Sequence, residues 1–449
     1  MPSPIKYIDL FAGLGGIRLG FTQAASELGL ESECVFTSEI KPHALTAYNT
    51  NFPNENVEAV DITQKAALDI PKFKFLLGGF PCQAFSAAGA GKGLADSRGT
   101  LFFEIERILT AHLKNVDGFI LENVEGLINH DKDKNDKDAK IGRTLTIILD
   151  ILRTKLKFNT EYYLLDSLDF GIPQSRKRVY IVGCKKRFGK PKFNFAPLPA
   201  ATVSDIQETG IEGLSSDFAQ RLVKLFGTEE LKGKCLKDKR GGDANIHSWD
   251  IEIKGKVSTA QKDLLNLLLK ERRKKLWAEV IGIDWMDGMP LTEQQIATFY
   301  QHPNLHEMLE DLVAKKYLVF EHPKKRITVT TDDGHSYTQR IPDESKPKGY
   351  NIVTGKLSFE FSKILHPEGY APTIVAMDME TLGVIDGENL RHLSLREGLR
   401  LFGYPESYSL EDFNSPGKIK LGYDLLGNTV CVPVIKAVSK ELLKRIYKL

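Results

Sequence analysis

KYIDLFAGLGG (residues 6–16) reads as a short apolar strand running into a glycine turn, and IRLGFTQAASEL (17–28) behind it has the spacing of an amphipathic helix. The pattern repeats outward from there. ECVFTSEI (33–40) is a second strand ending near Glu39, VEAVDIT (57–63) a third ending at Asp61, and FKFLLGGFPCQ (73–83) a fourth that delivers Cys82 just past its end. LFFEIERILTAHL (101–113) has one apolar helical face, DGFILENVEGL (117–127) is a strand ending at Glu122, RTLTIILDILRTKL (143–156) a helix and RVYIVGCKK (178–186) another strand. Strands alternating with helices predict an α/β fold: a parallel, Rossmann-like sheet with helices on both faces. In such sheets ligands sit beyond the carboxyl ends of the strands, and Gly13–Gly16, Glu39, Asp61, Cys82 and Glu122 all fall there.

Gly13-Leu14-Gly15-Gly16 follows a strand but is not G-x-G-x-x-G, because the residue three after Gly15 is Arg18. No phosphate-cradling G-x-x-x-x-G-K-[ST] accompanies it, so a nucleoside without phosphates fits better than a nucleotide. Glu39 is placed to accept ribose hydroxyls and Asp61 to meet the adenine edge. S-adenosylmethionine is such a ligand. A free cysteine is usually a small buried hydrophobe. Cys82, however, is flanked by Gly78, Gly79 and Pro81 on one side and by polar Gln83 and Ser86 on the other, followed by the glycine-rich AAGAGKGLADSRG (87–99), which reads as a lid. A thiolate at a strand end beside a nucleoside pocket reads as a nucleophile. Glu122, after four apolar residues, is expected to be partly desolvated and shifted toward its protonated form. Gln174, Arg176 and Arg178 alternate, so they share one face and can hold a phosphate, a carbonyl oxygen or the glutamate itself.

DLFAGLGG, GGFPCQAFS, LENV and QSRKR resemble, in order and spacing, the signature blocks of the DNA (cytosine-5)-methyltransferases of restriction-modification type. RHLSLREGLRLFGYP (391–405) and LGYDLLGNTVCVPVIKAVSKEL (421–442) resemble that family's ninth and tenth blocks, with a valine between cysteine and proline as a mild departure. The resemblance implies a Rossmann-like S-adenosylmethionine-dependent methyltransferase domain with a separate, variable target-recognition domain. It assigns Phe11, Ala12, Gly13, Leu14, Gly15, Gly16, Glu39, Ile40, Asp61, Ile62, Pro81, Leu101 and Asn428 to the S-adenosylmethionine pocket. Cys82 would be the nucleophile and Glu122 the acid, supported by Arg176 and Arg178, while Gln83, Ser86 and Arg98 would contact DNA. The implied reaction methylates C5 of a flipped-out cytosine in duplex DNA through a Cys82–C6 adduct. No metal is expected.

The 449 residues carry 42% hydrophobic and 27% charged side chains, a globular mix suited to two or three domains at about 150 residues each. Five scattered cysteines (Cys34, Cys82, Cys184, Cys235, Cys431) argue against a disulfide framework or structural zinc. No run of apolar residues approaches a bilayer span and the N-terminus lacks a signal-peptide pattern, so a cytoplasmic protein with no membrane association is expected, bacterial by resemblance and reaching the nucleoid through DNA. The net charge, +2 from 61 basic and 59 acidic residues, announces no polyanion partner. Locally, Lys232–Lys275 has 13 basic against 6 acidic residues, and LLNLLLKERRKKLW (264–277) reads as a basic amphipathic helix. Residues 1–190 are expected to form the catalytic domain, 191–390 the part that reads duplex DNA, 391–420 a hinge and 421–449 a return to the catalytic domain. The expected partners are double-stranded DNA and, functionally, a restriction endonuclease, with the enzyme a monomer. Two other readings are a tRNA cytosine-5 methyltransferase, against which the large middle segment speaks, and a non-catalytic DNA-binding module, which would need neither Cys82 nor Glu122.

Overall fold

The computed structural model describes residues 3–53, 57, 59–81, 101–132, 139–211, 216–238, 245–330, 336–353, 359–376 and 378–449. Two compact units result: the first comprises Met1–Thr209, His366–Glu380 and Leu393–Leu449, the second Gly210–Leu365 and Thr381–His392. Residues 191–209 and 366–380 thus group with the first unit, not with the middle segment drawn from sequence.

The first unit is built on six strands, β1 (Ile5–Leu10), β2 (Ser32–Ser38), β3 (Phe75–Gly79), β4 (Gly118–Val124), β5 (Phe158–Asp166) and β6 (Lys177–Lys185), ordered β2-β1-β3-β4-β6-β5. The first four pair in parallel as expected, but β6 runs antiparallel to both β4 and β5. Only the short Ser167–Arg176 connection joins β5 to β6, and a parallel crossover needs a dozen residues or more. Among the described residues of VEAVDIT, 57 and 59–63, none is in a strand. Its last residues form a turn in which Asp61 Oδ1 accepts from the amide and hydroxyl of Thr63. β5, which the apolar pattern did not flag, is an edge strand whose residues after Thr160 are half-exposed or exposed.

Helices cover both faces; in chain order the first four described are α1 (Gly16–Glu27), α2 (Pro42–Asn51), α3 (Leu101–Ala111) and α4 (Arg143–Asp150). Phe102, Ile105, Ile108 and Leu109 of α3 (Leu101–Ala111) and Leu145, Ile148 and Leu149 of α4 (Arg143–Asp150) pack with Ile8, Leu76, Leu121 and Ile181 in one buried cluster. On the opposite face α1 (Gly16–Glu27) brings Phe21 against Tyr7 and Phe75, at centroid distances of 5.0 and 5.2 Å. The helix Val432–Tyr447 packs on α1 at Gly20, where a Cβ would stand 2.7 Å from Ile435, and on β4 at Gly118. Ile419–Tyr447 is long and apolar enough to cross a membrane by length and composition alone. However, 67% of its most apolar window is buried within the fold.

The second unit has two cores. One gathers Trp249, Trp277 and the buried leucines of the helix Thr259–Glu271; the other lies under a sheet of five short strands, with the helix Asp217–Phe226 against it. The basic amphipathic segment is not one helix: Thr259–Glu271 buries Leu264, Leu265, Leu268 and Leu269, the chain turns through residues 272–274, and Leu276 of the next helix, Lys275–Ile281, is exposed. Lys324–Thr330 and Ser336–Pro342 form a separate two-stranded antiparallel ribbon.

Candidate active site

The glycine turn after β1 is shaped by backbone that ordinary residues avoid: Phe11, Gly13 and Gly15 have φ of 57°, 53° and 69°. Only glycine fits at 15, because a Cβ there would stand 2.6 Å from the Phe52 ring. The turn is clamped to the end of β2. Ala12 N donates to Ser38 O at 3.0 Å, and Gly13 N donates to Glu39 Oε2 at 2.8 Å. The other Glu39 oxygen accepts from the amides of Ile40 and Lys41 at 2.8 and 2.9 Å, leaving the Ile40 side chain 64% exposed. Leu14 is buried, and Tyr408 donates to its carbonyl at 2.6 Å.

The other residues expected to line the cofactor pocket are placed as follows. Val60 N donates to Glu39 O at 2.9 Å, bringing exposed Asp61 alongside, while Ile62 is buried in the cluster that Phe80 joins and against which Phe11 and Leu101 pack. Arg107 of α3 donates to the carbonyls of Ile62 and Lys65 and fixes that loop. Asn428 is exposed, and its amide donates to Asp424 Oδ1 at 3.1 Å. Asp424 in turn holds Lys41 and His43 at 3.2 and 3.1 Å. The C-terminal segment is thereby tied to the loop that follows Glu39. Gly16 meets the same segment, since a Cβ there would stand 2.9 Å from Val430 and 3.2 Å from the Thr429 hydroxyl.

At the ends of β3 and β4, Gly79 pairs with Glu122, and the missing side chain makes room for the carboxylate: a Cβ on Gly79 would be 3.3 Å from Glu122 Oε2. Arg178 Nε lies 3.2 Å from Glu122 Oε1, and both residues are buried. Burial raises the Glu122 pKa; Arg178, and more weakly Arg176, pull the other way without cancelling it. Sequence placed Arg176 beside Arg178 in a shared role, but the structure separates them. Arg176 is buried with its guanidinium on backbone carbonyls: Ile374 O at 2.5 Å, Thr429 O at 2.8 Å and Gly427 O at 3.3 Å. Gln174 is likewise buried and reaches Leu401 O at 2.8 Å.

Pro81, exposed, is the last described residue before the expected nucleophile. Cys82, Gln83, Ser86, Arg98 and the 87–99 stretch lie outside the described residues. Asn123, which sequence reasoning passed over although it sits inside LENV, donates to Phe80 O at 2.7 Å and pins the chain two residues ahead of Cys82. Asp424, His43 and Arg107 were also missed, since their partners are distant in sequence. Two clefts of about 460 and 310 Å³ lie along α1 and the first residues of β2, away from the strand carboxyl ends. Among the described residues no three His, Cys, Asp or Glu side chains gather as a metal-binding group.

A Rossmann-like sheet with its last central strand reversed, a glycine turn and an acidic residue at the next strand end is the fold of S-adenosylmethionine-dependent methyltransferases. The chain belongs to the C-5 cytosine-specific DNA methylase family, whose model matches residues 5–444. Over 439 residues it is 56% identical to the Type II methyltransferase M.NlaIV of Neisseria lactamica, covering 98% of this chain and 99% of that protein. It is 55% identical to the Type II methyltransferase M.NgoBV of Neisseria gonorrhoeae over the same length and shares. Among solved structures, the S. pombe Dnmt2 methyltransferase aligns over 98% of each chain with a TM-score of 0.54 at 16% identity, a likeness of fold.

Proposed function

We propose that this DNA cytosine-5 methyltransferase acts on C5 of a cytosine flipped out of duplex DNA, with Cys82 as nucleophile and Glu122 as acid, and that it is the modification partner of a restriction endonuclease. Family membership supports the reaction class, and the Type II names of its relatives support the restriction-modification setting. The observation that carries the mechanism is the buried Glu122–Arg178 pair behind Gly79.

S-adenosylmethionine supplies an electrophilic sulfonium methyl. Its nucleoside fits the residues around the turn: Glu39 presents a carboxylate at the end of β2, and exposed Ile40 offers apolar surface beside it. C5 of cytosine is too weak a nucleophile to take that methyl unaided. The Cys82 thiolate adds to C6, and the electron pair released through the ring makes C5 an enamine carbon. Glu122, kept toward its protonated form by burial, gives its proton to N3 and offsets the charge that addition creates. Arg178 orients the carboxyl and stabilises the carboxylate left behind. After C5 has taken the methyl from the sulfonium, which would be left as a neutral thioether, the C5 proton passes to water, its electron pair re-forms the C5–C6 double bond and expels Cys82 as thiolate, and N3 returns its proton to Glu122. The base must leave the stack for this, at a cost of roughly a few kcal/mol.

The second unit, together with Gln83, Ser86 and Arg98, engages the duplex in this reading. The test is methyl transfer from labelled S-adenosylmethionine to genomic-complexity duplex DNA and, in parallel, to tRNA, with the product base identified by hydrolysis. Label in 5-methylcytosine of DNA is expected. Label confined to tRNA overturns the substrate assignment.

A further inference from the structure

Of the 13 cations in the basic run conspicuous in the sequence, Lys232–Lys275, four have carboxylate partners within their own unit among the described residues. Lys232 pairs with Glu229 at 2.5 Å, Lys262 with Glu252 at 3.6 Å, Arg273 with Asp287 at 2.5 Å and Lys274 with Glu271 at 2.6 Å. Arg272 is buried, its guanidinium on Asn351 Oδ1 at 2.6 Å. Such internally paired cations offer little to a polyanion.

The ribbon of Lys324–Thr330 and Ser336–Pro342 is different. Residues directly opposite in an antiparallel pair share a face. The register therefore puts Lys324, Arg326, Thr328 and Thr330 on the same face as Thr338 and Arg340, and Lys325, Ile327 and Val329 on the other with Ile341. Arg326 stands directly across from Arg340, a like-charge pair that destabilises an isolated ribbon. Arg326 is exposed and makes no ion pair with any described residue. Arg340 Nη2 donates to Trp285 O at 3.2 Å, while its Nη1 is buried with no acceptor. No acidic side chain lies on this face among the described residues of the two strands. On the opposite face, by contrast, Lys325 is matched by Asp343 at 3.2 Å.

Two arginines held side by side, interspersed with threonine hydroxyls, match a row of phosphates; Lys324, on the same face, is paired with Glu321 at 3.8 Å. A two-stranded ribbon is also of a size that the major groove admits. We infer that the Arg326/Arg340 face of this ribbon is a duplex-DNA contact surface, set against the phosphate backbone. The inference rests on the reading of the second unit as the part that engages the duplex.

Phosphate contacts are largely independent of sequence, so a random-sequence 30-base-pair duplex serves as probe. Affinity of the full chain for it is measured across a potassium chloride series. Arg326→Gln is expected to weaken binding roughly tenfold and to lower the slope of log K against log salt by about one. Thr328→Glu, which adds a carboxylate to the same face, is expected to weaken binding as well. Lys325→Gln removes equal charge from the other face and is expected to leave the slope as in the wild type. Arg326 and Thr328 are exposed, so both variants keep the fold, which thermal unfolding checks. A wild-type slope and affinity in Arg326→Gln, or equal weakening in Lys325→Gln, overturns the ribbon alone. A wild-type protein that binds tRNA but no duplex at low salt overturns the duplex reading and the ribbon with it.

Discussion

Arg178 Nε stands 3.2 Å from Glu122 Oε1, with the two side chains only 10% and 12% exposed. Burial alone favours a neutral carboxyl and the guanidinium favours a charged one, and burial wins. The carboxyl is thus held toward its protonated form while a cation sits within ion-pair reach of it, the arrangement the proposed proton donation needs.

The pH dependence follows from this balance. Glu122 must be protonated to donate, so kcat/KM falls as pH rises through its pKa in the free enzyme. Arg178→Gln removes a lowering influence, so the alkaline limb of kcat/KM moves to higher pH even as turnover drops. An unmoved limb, or one moved to lower pH, contradicts the pairing. The stability effect has a defined sign. A carboxyl whose pKa is raised by folding stabilises fully below the unfolded carboxylate pKa, about 4.3, and that contribution is lost as pH climbs through the raised value.

Asn123 fixes the chain ahead of Cys82 through a buried hydrogen bond to Phe80 O. Asn123→Ala leaves that carbonyl unmet, at a cost of about 1–3 kcal/mol in stability. It is also expected to slow methyl transfer at least tenfold at saturating S-adenosylmethionine, since misplacing a nucleophile by about 1 Å can cost on the order of 100-fold. Thermal unfolding and single-turnover rates check the two parts. A destabilised variant with a normal rate would show the bond to be structural only.

Asp424 ties Asn428 to Lys41 and His43 beside the Glu39 loop. Burial raises its pKa, but His43 and Lys41 outweigh that and hold the carboxyl below its ordinary range. Asp424→Ala is expected to weaken S-adenosylmethionine binding about tenfold by calorimetry, with a smaller effect on the affinity for DNA. Unchanged cofactor affinity would separate this cluster from the pocket.

What could be read from sequence was what short-range chemistry dictates. KYIDLFAGLGG became strand, positive-φ turn and helix because its apolar run and glycines leave few alternatives. Glu39 and Glu122 were placed at strand ends by the apolar runs before them. VEAVDIT misled because alternation over so few residues does not distinguish a strand from a loop with one buried anchor, here Ile62. β5 was hidden because an edge strand keeps polar side chains on a half-exposed surface. The reversal of β6 depends on connection length, not on the strand itself. Arg176 and Arg178 looked equivalent by period, yet only long-range packing sends one to Glu122 and the other to the carbonyls of Ile374, Gly427 and Thr429. Likewise, the Lys232–Lys275 charge count could not reveal that four of its cations already have carboxylate partners.

The central claim is that Cys82 attacks a flipped cytosine while Glu122 protonates it. Duplex DNA of genomic complexity in which 5-fluorocytosine replaces cytosine, incubated with the enzyme and S-adenosylmethionine and resolved by denaturing electrophoresis, tests it most directly. Fluorine at C5 cannot leave as a proton does, so the adduct persists. A retarded covalent band that disappears in Cys82→Ala and forms orders of magnitude more slowly in Glu122→Gln is the predicted result. A band that survives Cys82→Ala, or none from a protein that methylates the unmodified duplex, would contradict the account.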